Sequence, residues 1–186
     1  MFCFNVKQIS IFFLSFFFLT EAYANNEIIN ALKGGSKIVF IRHSLAPGNG
    51  DPENFILNDC STQRNLSEKG IQQSKKIGNF FKANKIEIDA VLSSECCRCK
   101  DTAFHAFENF ITFNALNSFY DPKFSMNEEL QIIDLKKFIE NWESSKNLIL
   151  VTHYVVISSM LKVGSSSGEI IVVNKDLEIL GRMQTF

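Results

Sequence analysis

Three short apolar runs, rich in β-branched residues, constrain the fold of this chain more than any other feature. They cover residues 37–41, 89–93 and 147–152. Runs of this length are typical of strands that a sheet buries on both faces. A segment of helical length follows each run, and strands that alternate with helices imply an α/β domain. The pattern therefore predicts a three-layer α/β/α fold with a central, mostly parallel sheet.

The best defined of the predicted helices covers residues 68–83. Ser67 is placed to cap it, because the hydroxyl can accept from the unpaired backbone N–H groups of the first turn. Residues 111–130 show no clear periodicity, and Pro122 argues against one long element there. Further helices are expected over 27–32, 97–107, 134–142 and 154–161, a loop over 44–65, and a hairpin with strands at 169–173 and 177–180.

The first 24 residues have the features of a secretory signal peptide. Lys7 precedes an apolar run over 9–19, and Ala22 and Ala24 give the small-residue pattern at which signal peptidases cut. A membrane anchor needs about 20 apolar residues, and this run is roughly half as long. We therefore expect export to the periplasm or the medium, with 25–186 left as a single domain without a stable membrane anchor.

The charged residues limit the partners and mark a site. The formal net charge is -1, which argues against nucleic-acid binding through bulk electrostatics. Only four of the 19 basic residues are arginine, and the chain has three histidines. Arginine is preferred over lysine where a planar fork must hold a phosphate or carboxylate through two hydrogen bonds.

Most of these scarce residues follow the predicted strands. Arg42 and His43 follow the first run, Arg98 lies shortly after the second, and His153 follows the third. The carboxyl ends of the strands form the ligand crevice of open α/β sheets. We therefore expect two imidazoles and two guanidinium groups to meet in one anion pocket.

Such a pocket suits phosphoryl transfer to a histidine. A neutral imidazole attacks phosphorus, a phosphohistidine forms, and water then hydrolyses it. The remaining cations neutralise the equatorial oxygens in the transition state. Because these side chains supply the positive charge, we expect neither a metal nor another cofactor.

Four segments resemble, in order, the motifs of the histidine phosphatase superfamily, also called phosphoglycerate mutase-like. Residues 41–44 (Ile-Arg-His-Ser) resemble its Arg-His-Gly opening, with Ser44 in place of glycine. Residues 66–73 resemble its Leu-Thr-x-x-Gly-x-x-Gln segment, 93–103 its Ser-Ser-x-x-x-Arg-Ala-x-x-Thr-Ala segment, and 151–153 its last histidine motif. The resemblance covers about 37–181, and the stretch 46–66 is similar to small exported members.

The resemblance implies a role for each matched residue. His43 would be the nucleophile, and Arg42, Arg98 and His153 would form the phosphate pocket. Arg64 and Asn49 would contact the phosphate or the rest of the substrate.

The proton donor has no match. Many relatives place a glutamate where this chain has residues 116–119 (Leu-Asn-Ser-Phe), and others place an acid where it has Tyr154. The candidates in loops are Asp51, Asp59, Asp121 and Glu128. Without an acid, leaving groups of low basicity would be favoured, such as acyl phosphates or phosphoramidates.

The cysteines fit a disulfide better than a metal site. Cys60 lies far from the cluster of Cys96, Cys97 and Cys99, so a bridge from it to Cys97 or Cys99 would close a long loop. A bridge between the adjacent Cys96 and Cys97 would be strained. Zinc is disfavoured because the cluster has no second pair of ligands at metal-binding spacing, and His105 is the one histidine near it in sequence.

The sequence thus predicts an exported phosphatase that hydrolyses phosphomonoesters or related compounds and takes a small phosphorylated substrate. The alternative is a non-catalytic envelope protein that binds phosphate or a phosphoglycan on the same fold, which Ser44 and the missing acid favour. A mutase is less expected, since the chain has no long insertion to enclose a substrate.

Overall fold

The computed structural model describes residues 26–185, and the predicted signal peptide at 1–24 lies outside the described residues. The strands are β1 (Ile38–Arg42), β2 (Ile88–Ser93), β3 (Ile111–Thr112), β4 (Asn147–Thr152), β5 (Ile170–Val173) and β6 (Ile179–Met183). They form one sheet in the order β3-β2-β4-β1-β5-β6. The pairs within β3-β2-β4-β1 are parallel, whereas β5 and β6 extend the sheet as an antiparallel hairpin. The predicted fold class, with a mostly parallel sheet, is confirmed.

Within residues 26–185, five α-helices cover the two faces of this sheet. They are α1 (26–33), α2 (Glu68–Ala83), α3 (Cys97–Phe107), α4 (Glu128–Asn141) and α5 (Tyr154–Leu161), joined in places by 3₁₀ turns at Cys60–Thr62, Asn114–Leu116 and Pro122–Asn127. Both α2 and α3 have the bounds that the sequence predicts. The Ser67 hydroxyl accepts from the Gly70 N–H at 3.2 Å, as expected of a cap.

The alternating residues of the central strands make two cores. In β1, Ile38 and Phe40 pack on the face covered by α4 and α5, while Val39 and Ile41 pack against α1, α2 and α3. These four side chains are fully buried. Burial on both faces explains why the strands lack polar alternation in the sequence.

The segment after α3 is where the structure differs most from the sequence prediction. Helix α4 begins at Glu128 rather than at Asp134, directly after the turn Pro122–Asn127. Only Leu135 and Ile139 of α4 are buried. In its first turns Leu130 and Ile133 are exposed, so the apolar residues there do not mark a single buried face.

Across residues 26–185, every helix is too short or too polar to cross a bilayer.

Candidate active site

The candidate site lies where three parallel strands end. Arg42 is the last residue of β1 and His43 follows it, while His153 follows β4. Arg98 lies in the first turn of α3, shortly after β2. The centroids of the two imidazole rings are 5.4 Å apart, and Arg98 Nη2 lies 3.3 Å from His153 Nδ1. The fold therefore brings together the four residues that the sequence places at strand ends, and we call them the pocket floor.

Backbone contacts hold His43 at the end of β1. Its N–H donates to the Thr152 carbonyl of β4 at 2.9 Å, which extends the parallel pairing by one residue. The Ser44 N–H donates to the Thr102 hydroxyl of α3 at 2.9 Å. Beyond them, Gly70 of α2 approaches the Leu45 backbone so closely that a Cβ would lie 2.2 Å from its carbonyl oxygen. His43 is thus held by β4, and the two residues that follow it are held by α3 and α2.

The Ser44 side chain points away from the site. It accepts a hydrogen bond from the Ser74 hydroxyl of α2 at 2.8 Å and is fully buried. A hydroxyl in place of the family's glycine is therefore satisfied inside the protein.

Hydrogen bonding assigns the tautomer of His43. Its Nδ1 lies 2.8 Å from the Ser44 carbonyl, which can only accept, so Nδ1 carries the proton. Nε2 then presents a lone pair, and within the described residues no group bonds to it. Burial, reinforced by the charge of Arg98, holds the pKa of His43 well below its ordinary value. A neutral ring with an available nitrogen is the form that a nucleophile requires.

His153 has both ring nitrogens occupied. A guanidinium can only donate, so Nδ1 accepts from Arg98 and Nε2 donates to the Ser94 hydroxyl at 2.9 Å. Ser94 in turn donates to Asn117 Oδ1 at 2.9 Å. Burial, followed by the charge of Arg98, holds the pKa of His153 well below its ordinary value. In this arrangement His153 fixes the orientation of Arg98.

The arginines of the floor keep donors available. Arg42 Nη1 donates to the Ser165 carbonyl at 2.7 Å, and its guanidinium carbon lies 5.6 Å from the centroid of the Tyr154 ring. Arg98 Nη1 contacts both oxygens of Asp51, at 2.7 and 3.0 Å. The Nε–H groups of Arg42 and Arg98 are buried without a partner among residues 26–185. Such donors are costly unless an anion satisfies them.

Arg64 and Asn49 lie farther out, in the loop 44–65. Arg64 Nε donates to the Gly50 carbonyl at 2.7 Å and Nη1 to the Ala46 carbonyl, so this side chain also braces its own loop. Asn49 is exposed, and its Nδ2 donates to the Tyr120 hydroxyl at 3.0 Å. Both residues line the same pocket as the floor. We call the loop 44–65 and the facing segment 117–124 the pocket rim.

A disulfide fastens this rim to the helix that carries Arg98. Cys60 and Cys97 are bonded, with their Cα atoms 5.7 Å apart, so the structure selects Cys97 over Cys99. The Gln63 side chain adds a second link, accepting from the Cys97 N–H at 2.9 Å and donating to the Leu57 carbonyl at 2.7 Å. Cys96 and Cys99 are buried free thiols, and burial raises the pKa of both. They are therefore protonated and poorly nucleophilic.

The pocket between floor and rim has a volume of about 160 Å³. Phe55, Tyr120, Phe124 and Tyr154 form its apolar walls, and Asp51 and Asp121 are its carboxylates. The other two acid candidates lie elsewhere. Asp59 caps the turn Cys60–Thr62, and Glu128 accepts from the Ser159 hydroxyl at 2.6 Å.

Sequence reasoning missed several groups that shape the floor. Ser165 acts through its backbone carbonyl, which no side-chain motif reports. Arg182 is exposed, pairs with the buried Glu169 at 2.7 Å and donates to the Gly164 carbonyl, next to Ser165, at 2.7 Å. The sequence signal for Arg182 was that arginines are scarce in this chain.

No cluster of three or more histidine, cysteine or carboxylate side chains suited to a metal occurs in the described part of the chain.

Comparison with solved structures identifies the fold. The protein histidine phosphatase SixA, solved as a complex with tungstate, matches with a TM-score of 0.57 and 14% identity, over 80% of this chain and 97% of its own. Phosphoglycerate mutase from Thermus thermophilus matches with a TM-score of 0.57 and 15% identity, over 80% of this chain and 98% of its own. No protein-family model and no curated protein matches the sequence. At such low identity these similarities establish the histidine phosphatase fold.

Proposed function

We propose that this chain, which has the histidine phosphatase fold, hydrolyses phosphomonoesters or related phosphoryl compounds through a phosphohistidine intermediate. One observation carries the proposal. A neutral His43, with Nε2 free, lies beside the guanidinium groups of Arg42 and Arg98, and all three residues line the same pocket. This combination supplies a nucleophile and the binding site for the group that it attacks.

In the first step, the Nε2 lone pair of His43 attacks phosphorus in line with the leaving oxygen. The P–O bond breaks, its electron pair stays on the leaving oxygen, and a phosphohistidine forms. In the second step, water attacks phosphorus from the side that the leaving group vacated and returns the electron pair to Nε2. The Nδ1–H bond to the Ser44 carbonyl keeps the ring in place through both steps.

The cations of the floor stabilise the charge that develops on the equatorial oxygens. Arg42 and Arg98 are held by fixed partners on either side, so they need little reorganisation as the reaction proceeds. Arg64, which lines the pocket from the rim, adds a third positive charge. Because protein cations fill this role, the reaction is proposed to be independent of metal ions.

The size and walls of the pocket favour a small phosphorylated substrate. A volume of about 160 Å³ accommodates a phosphoryl group with little else, so the remainder of the substrate would lie between the aromatic side chains of the rim. Of the two solved structures compared above, one is a protein histidine phosphatase and the other a phosphoglycerate mutase. Their shared fold supports phosphoryl chemistry but does not identify the substrate.

We also propose that the protein is exported and periplasmic or secreted. The signal-like segment at 1–24 motivates this, and the bridge between Cys60 and Cys97 supports it, because structural disulfides persist mainly in oxidising compartments. Pulse labelling of the full chain, with and without a block of secretion, would show a shift to a shorter form if the segment is cleaved. A full-length form confined to the cytoplasm would contradict export.

The catalytic proposal is tested with the oxidised protein lacking residues 1–24. It should release phosphate from p-nitrophenyl phosphate, retain this activity in EDTA and be inhibited by tungstate. His43→Ala should lower kcat by on the order of 10⁵-fold or more, because the nucleophile is lost. Binding of phosphate without turnover would support the alternative of a non-catalytic binding protein. Equal turnover by wild type and His43→Ala would refute the role of His43.

A further inference from the structure

The pocket contains two carboxylates that are held in different ways. Among the described residues, Asp51 and Asp121 are the acidic side chains that line it. Phosphoryl transfer to His43 leaves a negative charge on the leaving oxygen unless a proton arrives, so the function of each carboxylate depends on which part of the substrate it faces.

Asp51 is held by the Arg98 guanidinium and by the Arg64 backbone. Both of its oxygens contact Arg98 Nη1, and Oδ1 also accepts from the Arg64 backbone N–H at 3.0 Å. The side chain is 15% exposed. Asp51 therefore orients Arg98, and its oxygens are occupied by these contacts.

Asp121 is held loosely at the rim. Its Oδ1 accepts from the Lys123 backbone N–H at 3.0 Å, which caps the turn Pro122–Asn127. Its Oδ2 lies 3.6 Å from Lys123 Nζ, and that ammonium also lies over the rings of Phe55 and Phe124. The side chain is 39% exposed. One oxygen thus has only a distant partner and is accessible from the pocket.

The in-line geometry of the reaction indicates which of the two carboxylates faces the leaving oxygen. The leaving oxygen lies opposite the attacking nitrogen. His43 is 2% exposed and lies at the floor, so the leaving oxygen points to the mouth of the pocket. Asp121 lines the same pocket and is far more exposed than His43, which places it toward the mouth, in the segment where the chain has Ser118 instead of the family's glutamate.

We propose that Asp121 is the general acid of the first step and the general base of the second, a role that rests on the proposed function. As the P–O bond breaks, the Asp121 carboxyl gives its proton to the leaving oxygen, and the free alcohol departs. The Asp121 carboxylate then takes a proton from the attacking water while the P–N bond breaks. Phosphate leaves, and His43 and Asp121 return to their starting forms.

The test compares leaving groups that differ in basicity. Asp121→Asn removes the acid and keeps the cap, because asparagine is as good a capping residue as aspartate. It should lower kcat/KM for glycerol 2-phosphate by about 10²–10⁴-fold, and for p-nitrophenyl phosphate by less than about tenfold, since nitrophenolate leaves without a proton. Asp59→Asn, which changes a capping aspartate outside the pocket, is the matched control and should leave both values within about twofold.

Two outcomes would overturn the assignment. An equal loss on both substrates would make Asp121 a structural residue, and no loss on glycerol 2-phosphate would remove it from the reaction. Tungstate inhibition of each variant reports whether the pocket is intact, and Asp121→Ser, which also caps, replaces the asparagine variant if that protein fails to fold. The proposed function itself fails only if the wild type shows no turnover that depends on His43, which is a separate result.

Discussion

The floor and the rim of the pocket are built by different means. The floor residues Arg42, His43, Arg98 and His153 lie at or near the ends of paired strands, and the paired backbone fixes them. The rim consists of two irregular segments that meet through single contacts, such as Asn49 with Tyr120 and Phe55 with Phe124. Its strongest link to the rest of the protein is the bridge from Cys60 to Cys97. The floor is therefore positioned by the sheet, and the rim by a few side chains.

This difference suggests a division of labour. The floor holds the nucleophile and the phosphoryl group, whose geometry is the same for every substrate. Apart from Asp51 and Arg64, which support the phosphate site, the rim contacts the leaving group, so it is the part in which substrates are distinguished. Changes in the floor should affect all substrates, whereas changes in the rim should affect stability or the choice of substrate.

The largest effect is expected from Arg98→Lys in the floor. The guanidinium contacts Asp51 through Nη1 and His153 through Nη2, and a single ammonium group cannot reproduce this fork. We expect kcat/KM to fall by about 10²–10³-fold on aryl and alkyl phosphates alike.

The comparison variant for that prediction is Arg182→Lys, which should cost far less because Arg182 supports the floor only through the loop that carries Ser165. Arg182 also pairs with a carboxylate, that of Glu169, but it does not line the pocket. Steady-state kinetics of both variants would separate the loss of a guanidinium in the floor from the loss of one elsewhere. A substrate-selective effect of Arg98→Lys would break the division between floor and rim.

The second prediction concerns the attachment of the rim. Cys60 and Cys97 are separated by 37 residues, and a bridge over such a loop contributes about 2–4 kcal/mol by limiting the unfolded chain. Reduction, or the double variant Cys60→Ser with Cys97→Ser, should lower the free energy of unfolding by about this amount. Urea denaturation measures it. Because the double variant has no bridge, dithiothreitol should not destabilise it further. If dithiothreitol lowered its free energy of unfolding as much as that of the wild type, the destabilisation would not come from the bridge.

The third prediction uses pH to probe the buried histidines. Burial holds the pKa of His43 and of His153 well below the ordinary value, so the folded protein keeps both neutral while the unfolded chain takes up protons near pH 6.5. The unfolded state then binds more protons, so the free energy of unfolding falls as pH drops below about 6.5. The expected slope is about 1.4 kcal/mol per pH unit for each histidine.

Thermal or urea unfolding between pH 7 and pH 5, in buffers free of phosphate, measures this slope. His43→Asn should make it shallower, and His105→Gln on α3, outside the pocket, is the matched control. A slope that is unchanged in His43→Asn would mean that this imidazole is protonated in the folded protein.

The same contrast explains what the sequence predicts well. The parallel strands and the residues after them were predictable because burial on both faces leaves a local signature, and because the ends of parallel strands must meet. The positions of Arg42, His43 and His153 follow from this rule alone. The bounds of α2 and α3 were predictable from local pattern in the same way.

The rim was not predictable from local pattern. Asp51 and Asp121 were two of four acid candidates in the sequence. Only the structure shows that Asp51 contacts Arg98, 47 residues away in sequence, and that Asp121 caps a short turn. Exposed apolar residues in the first turns of α4, Leu130 and Ile133, concealed its beginning. Where the position of a side chain depends on a single distant contact, the sequence carries no periodic signal of it.

The smallest effect is expected from Tyr120→Phe in the rim. The variant removes the oxygen that accepts from Asn49 Nδ2, which is one of the links between the two rim segments. Both residues are exposed, so water replaces the lost bond, and the cost should be below about 1 kcal/mol. We expect KM for glycerol 2-phosphate to rise by less than about fivefold, with kcat unchanged. In a double-mutant cycle, Tyr120→Phe should add nothing to Asn49→Ala, because each removes the same bond. If Tyr120→Phe instead lowered kcat on aryl and alkyl phosphates alike, as far as Arg98→Lys does, the rim would act on every substrate, and the proposed division of labour would be wrong.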